Sequence, residues 1–272
     1  MIYKYFLAVL TVFFLSGCGG GGEDLSANMD GSADGSSGGT TTNQSAEGLW
    51  SGDLVSSSGK KMQSIGVILS NKEYFFATGD NYTSLIVGSG TTTGNNFQSS
   101  TLFNTDGKLG FNTGSVSGTI NGTVSGSIFT AESLVTSFVS KSDANKRAYG
   151  TLTYDPTFNT QPNLSSLDNT KFSFSNLLTN LKVANNKATF SFVDEDCDYS
   201  GELQVDSNIR NYFLLTMKIT QRSGKTCQKI TDEKDPIVGV AIYTNLDSTE
   251  TLFFMGINSL QDRWFVAPFK KM

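Results

Sequence analysis

The chain contains no histidine among its 272 residues, and this absence removes several kinds of chemistry. Without an imidazole there is no Ser-His-Asp or Cys-His nucleophile system, and there is no histidine ligand for a metal or for haem iron. Enzymes that rely on carboxylates alone, or on a Ser-Lys pair, are compatible with this composition, but no motif points to either. We therefore expect no enzyme activity, no catalytic residue, no metal site and no cofactor. A carboxylate-based hydrolase is the remaining enzymatic alternative.

The chain also has few basic residues and few long hydrophobic runs. Its 20 Lys and Arg against 25 Asp and Glu give a net charge of −5. No cluster of basic residues exceeds two or three, so nucleic acid is not an expected partner. After the N-terminal segment no stretch approaches 18 apolar residues, which predicts a chain without a membrane-spanning helix.

The N-terminal segment is the most informative feature that is present. Lys4 precedes an apolar run over residues 5–15, which fits the apolar region of a signal peptide and is too short to span a membrane. The run ends in Leu15-Ser16-Gly17-Cys18, which resembles the lipobox of bacterial lipoprotein precursors. That resemblance implies removal of residues 1–17 as a signal peptide, diacylation of Cys18 and anchoring in a lipid bilayer. The alternative is an ordinary cleaved signal in which Cys18 is incidental.

The residues after Cys18 predict a location and a tether. Gly19 stands where an aspartate would suggest inner-membrane retention in enteric-type bacteria, so the same resemblance implies the outer membrane, on its periplasmic or its cell-surface side. Residues 18–46 are rich in Gly, Ser, Thr and Asn and have almost no apolar area to bury, so we expect a disordered tether. Its mean span would be about 30 Å, and the fold should start near Glu47.

The three cysteines follow the same assignment. If Cys18 carries lipid, Cys197 and Cys227 remain, and an exported compartment favours a disulfide between them. Two free thiols and a metal-binding pair are the alternatives, and the missing histidine weakens the second of these.

The rest of the chain predicts an all-β protein. Short apolar runs of four to eight residues alternate with Gly, Asn and Asp turns, which is typical of antiparallel strands. We expect two small antiparallel β-domains in tandem, barrels or sandwiches: a first domain over 47–157, a linker over 158–170 and a second domain over 171–272. The only helix that the pattern suggests is a short one over 133–139.

The clearest pattern is the alternation over residues 114–128, where every even position is Gly, Val or Ile and every odd position is Ser, Thr or Asn. In one strand these residues would run about 50 Å, longer than small domains use. A turn over 121–123 is therefore predicted, which keeps Ile120 opposite Val124. Glycine alternating with β-branched residues suits the crowded interior of a small closed barrel, although a sandwich face could carry the same pattern.

Gly48-Leu49-Trp50 opens the first domain and resembles the Gly-x-Trp motif of lipocalin-like and avidin-like barrels. In those barrels the Trp closes the base and an arginine often stacks on it. The resemblance implies that Trp50 is a barrel plug and that Arg147 covers it through a cation–π contact. An ordinary core tryptophan on a first strand is the alternative.

A broader resemblance covers most of the chain. The lipobox and the glycine-rich tether come first. They are followed by Gly-Leu-Trp-Ser-Gly over 48–52, Thr-Tyr-Asp-Pro over 153–156, Cys-Asp-Tyr-Ser-Gly over 197–201, Cys227 and Val-Gly-Val-Ala-Ile-Tyr over 238–243. Together they resemble a group of uncharacterised proteobacterial outer-membrane lipoproteins with two tandem β-domains. The resemblance implies this architecture and no activity.

Four acidic residues flank or precede Cys197, namely Asp194, Glu195, Asp196 and Asp198. Such oxygen ligands could hold Ca²⁺, but their spacing is not that of an EF-hand loop, so a solvated acidic loop is favoured.

The predicted anchor and tether, the β-rich globule and the missing catalytic apparatus together lead us to expect a membrane-anchored, non-enzymatic binding module for a protein or small ligand. A structural or envelope-assembly lipoprotein facing the periplasm is the alternative.

Overall fold

The structure is a computed structural model. It describes residues 45–272 apart from 106–108, 110, 126–127, 161–162, 195, 207–209, 233 and 247. These residues belong to one compact unit, Thr41–Met272. The predicted signal peptide, Cys18 and nearly all of the predicted tether lie outside the described residues. In the part that is described, no helix is long and apolar enough to cross a membrane.

The described chain is all-β, as predicted, and its first eight strands form a closed antiparallel barrel. Each strand pairs with the next along the chain, and β1 closes the barrel by pairing with β8, with Trp50 opposite Tyr154. The strands are β1 Gly48–Ser56, β2 Lys61–Ile68, β3 Glu73–Thr78, β4 Ser84–Thr93, β5 Asn96–Asn104, β6 Thr113–Ser125, β7 Ile128–Ser140 and β8 Arg147–Asp155.

Strand β6 confirms the barrel prediction from the Gly/Val/Ile alternation. Val116 and Ile120 are buried inside the barrel. Gly118 lies between them, and a Cβ there would be 2.7 Å from the end of the Leu134 side chain. A Cβ on Gly114, two residues before Val116, would be 2.0 Å from the carbonyl oxygen of Val139, which is backbone and cannot move aside. This crowding explains why small and large residues alternate on the inner face.

The turn predicted over 121–123 is wrong. Strand β6 continues to Ser125, and the register with β7 shifts between Asn121 and Gly122 instead. Asn121 pairs with Ser133 and Gly122 with Ala131, so Glu132 is the extra residue of a β-bulge. A bulge bends a long strand around a barrel without reversing it, which removes the need for a turn.

The short helix predicted over 133–139 is also wrong, because these residues lie in β7. Leu134, Thr136 and Phe138 are buried, and the residues between them face outward. This period of two, with partner strands on both sides, is that of a strand.

The other nine strands form a second sheet that nearly closes on itself. A break at Leu181 separates β10 from β11, so that β10 pairs with β9 while β11 pairs with β12 at the opposite end of the sheet. Thr179 Oγ1 also donates a hydrogen bond of 3.3 Å to the carbonyl oxygen of Ser191 across this gap. The sequence did not predict β10 or β11, because each has only three or four residues. The strands are β9 Lys171–Phe174, β10 Leu177–Asn180, β11 Lys182–Ala184, β12 Lys187–Val193, β13 Cys197–Val205, β14 Phe213–Gln221, β15 Ile237–Leu246, β16 Thr249–Ile257 and β17 Trp264–Lys271.

The predicted disulfide is present in the second sheet. Cys197 and Cys227 are bonded, and both are buried in the core of this sheet. The bond joins the start of β13 to the segment after β14 and closes a loop with a sequence separation of 30. Loop-closure entropy assigns such a cross-link about 3–4 kcal/mol of stabilisation.

The barrel and the second sheet share a third apolar cluster, which we call the shared apolar face. The outward side chains of β1–β4 pack against the outward side chains of β15–β17, and the ring of Tyr82 lies edge-on to that of Phe253 with 5.2 Å between centroids. The two halves are therefore packed on each other and are not merely consecutive along the chain. The buried members are Leu49, Ile65, Val67, Leu69, Phe75, Ala77, Tyr82, Leu85, Phe158, Tyr212, Val240, Ile242, Phe253, Met255, Ile257 and Val266.

The segment between the halves is held by both. The Asp155 side chain accepts a hydrogen bond from the amide of Thr157 and caps a short 3₁₀ helix, Pro156–Asn159. Phe158 of this helix belongs to the shared apolar face. A second 3₁₀ helix, Leu164–Leu167, places both of its leucines in the core of the second sheet.

Candidate binding site at the junction of the two halves

Side chains fill the interior of the first barrel. Trp50, Tyr74 and Phe138 are fully buried there, and Tyr74 Oη lies 3.0 Å from Ser99 Oγ. Burial raises the pKa of Tyr74 to about 12, although the Ser99 hydroxyl opposes the shift. A packed interior directs attention to the openings where the two halves meet.

Trp50 lies at the end of the barrel where β1 begins. Its Nε1 donates a hydrogen bond of 3.0 Å to the carbonyl oxygen of Ala46, and its ring lies edge-on to Tyr154 at 5.3 Å between centroids. The structure does not bring Arg147 to this tryptophan. Trp50 pairs with Tyr154 of β8, and Arg147 lies seven residues before Tyr154, roughly 23 Å away along that strand. Its guanidinium lies 6.0 Å from the ring centroid of the exposed Tyr149.

A cleft of about 330 Å³, which we call the junction cleft, lies where the end of β8 and the linker meet β14–β16. Its volume is within the range of small-ligand sites. Eight of its eleven lining residues carry a hydroxyl or an amide, two are carboxylates and one is the buried Phe213. The lining residues are Asp155, Thr157, Thr160, Asn163, Ser166, Asn211, Phe213, Tyr243, Thr244, Asn245 and Glu250.

Hydrogen bonds across the two halves shape this cleft. The buried Asn211 donates from its amide nitrogen to the carbonyl oxygen of Phe158 at 2.9 Å, and from Nδ2 to the carbonyl oxygen of Tyr243 at 3.3 Å. On the barrel side, Asp155 Oδ2 accepts from Thr244 Oγ1 at 3.5 Å. These bonds tie the linker to β15, so both walls of the cleft are held in place.

Glu250 lies on the second wall with two partners of its own. Tyr243 Oη donates to Glu250 Oε1 and Lys271 Nζ donates to Glu250 Oε2, each at 2.5 Å. The bonds from Lys271 and then Tyr243 lower the pKa of Glu250. Burial and then the Glu250 carboxylate raise the pKa of Tyr243. Glu250 is thus an ionised, fully bonded group at neutral pH.

Arg210 holds one side of the junction in place, and its side chain lies close to Tyr154 and Tyr212. Its Nε donates to Glu47 Oε1 at 2.8 Å, and its guanidinium lies 5.6 Å from the ring centroid of Phe158. The bond to Glu47 raises the pKa of Arg210. This contact joins the residue just before β1 to the residues just before β14, so it couples the two halves directly.

A second opening, the apolar groove, has a volume of about 540 Å³ and lies between β3–β4 of the barrel and β14–β16. Phe75 and Ile257 of the shared apolar face line it, so the groove continues that face to the surface. Leu214 and Val238 also line it and are 41% and 49% exposed. The groove therefore leaves apolar side chains in contact with water.

The acidic residues around Cys197 form a folded turn. Asp194 Oδ1 accepts hydrogen bonds from the amides of Asp196 and Cys197, and Asp194 Oδ2 accepts from Tyr199 Oη at 2.8 Å. Burial alone would raise the pKa of Asp194, but these bonds and the charge of Lys229 together lower it. Within the described residues, no group of three or more acidic or cysteine side chains is arranged to hold a metal ion; Glu195 lies outside them.

The junction cleft was not predicted from the sequence. Its residues come from β8, the linker, the start of β14, β15 and β16, and none of these segments carries a recognisable motif. The linker composition of Asn, Ser and Thr is the one available signal, and it indicates only a junction between domains. No protein-family model, curated protein or solved structure matches the chain, so its residues and geometry alone carry the functional argument.

Proposed function

We propose that the mature protein is a non-enzymatic binding module, anchored to the outer membrane through acylated Cys18, whose ligand occupies the junction cleft. The observation that carries the proposal is the cleft itself. Polar side chains from five segments meet in an opening of small-ligand size, and both halves contribute to its walls.

The electrostatics of the cleft favour binding over hydrolysis. A carboxylate pair that cleaves glycosidic bonds needs one acid whose pKa is raised, so that it holds a proton at neutral pH. The pKa of Glu250 is lowered instead. Asp155 accepts hydrogen bonds from the chain at both of its oxygens. Both carboxylates therefore act as anchors for neighbouring groups.

The anchor is tested by metabolic labelling of cells with an alkyne analogue of palmitate. We expect label on the wild-type chain and none on Cys18→Ser, with the wild-type protein in the outer-membrane fraction. Protease treatment of intact cells then distinguishes a cell-surface from a periplasmic location, since only a surface-exposed protein is cleaved. An unlabelled wild-type chain would refute the anchor.

Ligand binding is tested by thermal unfolding of the full mature chain in the presence of soluble small molecules. A ligand of the folded state raises the midpoint temperature by mass action. We expect such a compound to stabilise the wild type and to lose its effect in Asn245→Ala, whose side chain lines the cleft. Stabilisation that is equal in both proteins would place the ligand elsewhere.

A second candidate function, a structural or envelope-assembly role, is favoured by the apolar groove. Its occupant would be an apolar segment of an envelope protein that extends the shared apolar face, because Phe75 and Ile257 of that face already line the groove. A photo-crosslinking residue at Val238 should then capture a defined envelope protein in living cells. The same residue at Val193, which is 45% exposed on β12, is the control. Equal crosslinking at both sites would count against the groove.

A further inference from the structure

The lining of the junction cleft is rich in groups that form hydrogen bonds, and these groups indicate the chemistry of a ligand. Eight of its side chains are uncharged and can donate and accept hydrogen bonds. Within the described chain, the Asn245 side-chain amide and the Thr157 hydroxyl line the cleft, both are exposed to solvent, and neither is bonded to another protein group. These two side chains are available to a ligand that offers neutral donors and acceptors of its own.

Charge disfavours an anionic ligand. Among the described residues no lysine or arginine lines the cleft, and two carboxylates do, so an anion would meet net negative charge. Lys271 compensates the charge of Glu250, because its Nζ lies 2.5 Å from Glu250 Oε2. Asp155 accepts hydrogen bonds from the backbone amide of Thr157 and the hydroxyl of Thr244, which are neutral, so it keeps its negative charge. A cationic ligand is therefore the competing class, and it is one outcome of the test.

The partly exposed ring of Tyr243 adds an apolar surface beside the hydroxyl and amide groups. A tyrosine presents an apolar face and a polar edge at once. Sugars have the complementary character: their hydroxyls point outward from the ring, while the C–H groups form a weakly apolar face. A purely apolar ligand would take water away from the Asn245 amide and the Thr157 hydroxyl without replacing its hydrogen bonds, which is costly.

We propose that the junction cleft binds a neutral carbohydrate. The proposal rests on the binding function proposed above and names the class of its ligand. The Asn245 and Thr157 side chains bind the hydroxyl groups of the sugar, Tyr243 packs against its ring, and Glu250 and Asp155 hold the neighbouring donors in place.

The test uses the full mature chain, lipidated and held in nanodiscs, and measures affinity for three sets of probes. The first set is an array of neutral mono- to tetrasaccharides, including lactose, maltotriose and di-N-acetylchitobiose. The second is the sialylated form of each glycan that binds. The third is spermidine and lysine methyl ester, which carry ammonium groups. The variants are Asn245→Ala and, as a matched control, Asn145→Ala, an exposed asparagine in the loop that precedes β8.

We expect at least one neutral glycan to bind, with an affinity at least fivefold weaker in Asn245→Ala and unchanged in Asn145→Ala. The sialylated form should bind at least tenfold more weakly than its neutral core, because the cleft is acidic. If only spermidine or the lysine ester binds and the binding depends on Asn245, the carbohydrate inference is overturned while the binding function stands. If the cleft variants change no binding of any probe, and the wider small-molecule screen also gives no cleft ligand, both proposals fail.

Discussion

Replacement of Phe253 by alanine tests whether the barrel and the second sheet unfold as one body. Phe253 belongs to β16 of the second sheet, but its side chain points outward, is fully buried and contacts Tyr82 of the barrel edge-on. A buried Phe→Ala change costs about 3–5 kcal/mol, to which the aromatic pair contributes about 0.5–1.5 kcal/mol. For a unit of this size each kcal/mol lowers the unfolding midpoint by about 2–4 °C, so we expect a fall of about 6–20 °C.

The two tryptophans allow the two halves to be observed separately, because Trp50 lies in the barrel and Trp264 in β17. In a Trp264→Phe background, the fluorescence of Trp50 reports on the barrel alone, while far-ultraviolet circular dichroism reports on all strands. We expect both signals to follow one transition, and Phe253→Ala to lower it in both. Leu178→Ala, at a side chain that is 60% exposed, should change the unfolding free energy by less than about 0.5 kcal/mol.

The reasoning fails if Phe253→Ala leaves the Trp50 transition where it is in the parent protein. That result, with two separate transitions by circular dichroism, would mean that the shared apolar face does not couple the halves. The walls of the junction cleft would then be free to separate.

Three further predictions concern the core and the loops. The double variant Cys197→Ser, Cys227→Ser should lose about 3–4 kcal/mol of unfolding free energy in urea titration, and an unchanged midpoint would contradict the role given to the disulfide. The pKa of Asp194 is lowered in the folded state, so its carboxylate adds to the unfolding free energy. This contribution is fully present above the unfolded-state pKa of about 3.9 and is lost as the pH falls through the folded-state pKa. Asp194→Asn should therefore cost about 1–2 kcal/mol at pH 7, and its deficit should shrink below about pH 4; a deficit that is constant with pH would refute this. Gly114→Ala should destabilise by about 2–3 kcal/mol, because its Cβ would lie 2.0 Å from a carbonyl oxygen. Gly94→Ala, where the space is open and φ is +58°, should cost about 1 kcal/mol through backbone strain, and equal losses would contradict the close approach in β6.

Alternation of polar and apolar residues predicted the all-β class correctly, because that pattern reports which faces are buried. It predicted the inward positions of β6 from Gly114 to Ile120, and the cysteine count together with the expected compartment predicted the disulfide. It failed at the β-bulge beside Asn121, because a bulge and a turn use the same residue types. It failed at β7 because a run of Ser, Leu, Val and Thr fits either period when it is short.

The packing of the two halves could be predicted only in part. Ile65 to Leu69 and Leu252 to Ile257 are apolar or small at nearly every position, which indicates strands that are buried on both faces. The sequence cannot specify which surface covers the second face, since that depends on the shape of both sheets. The junction cleft forms only where the two halves pack together, so the sequence could not show that its lining residues lie side by side. The expected contact between Arg147 and Trp50 was not found, because Trp50 of β1 pairs with Tyr154 near the end of β8, while Arg147 lies at the start of β8.

A crystal structure of the protein with a neutral oligosaccharide that it binds would test the central claim most directly. We predict sugar density in the junction cleft, with ring hydroxyls within hydrogen-bond distance of Asn245 and the ring of Tyr243 against one face of the sugar. An empty cleft with the sugar bound at another surface would contradict the account.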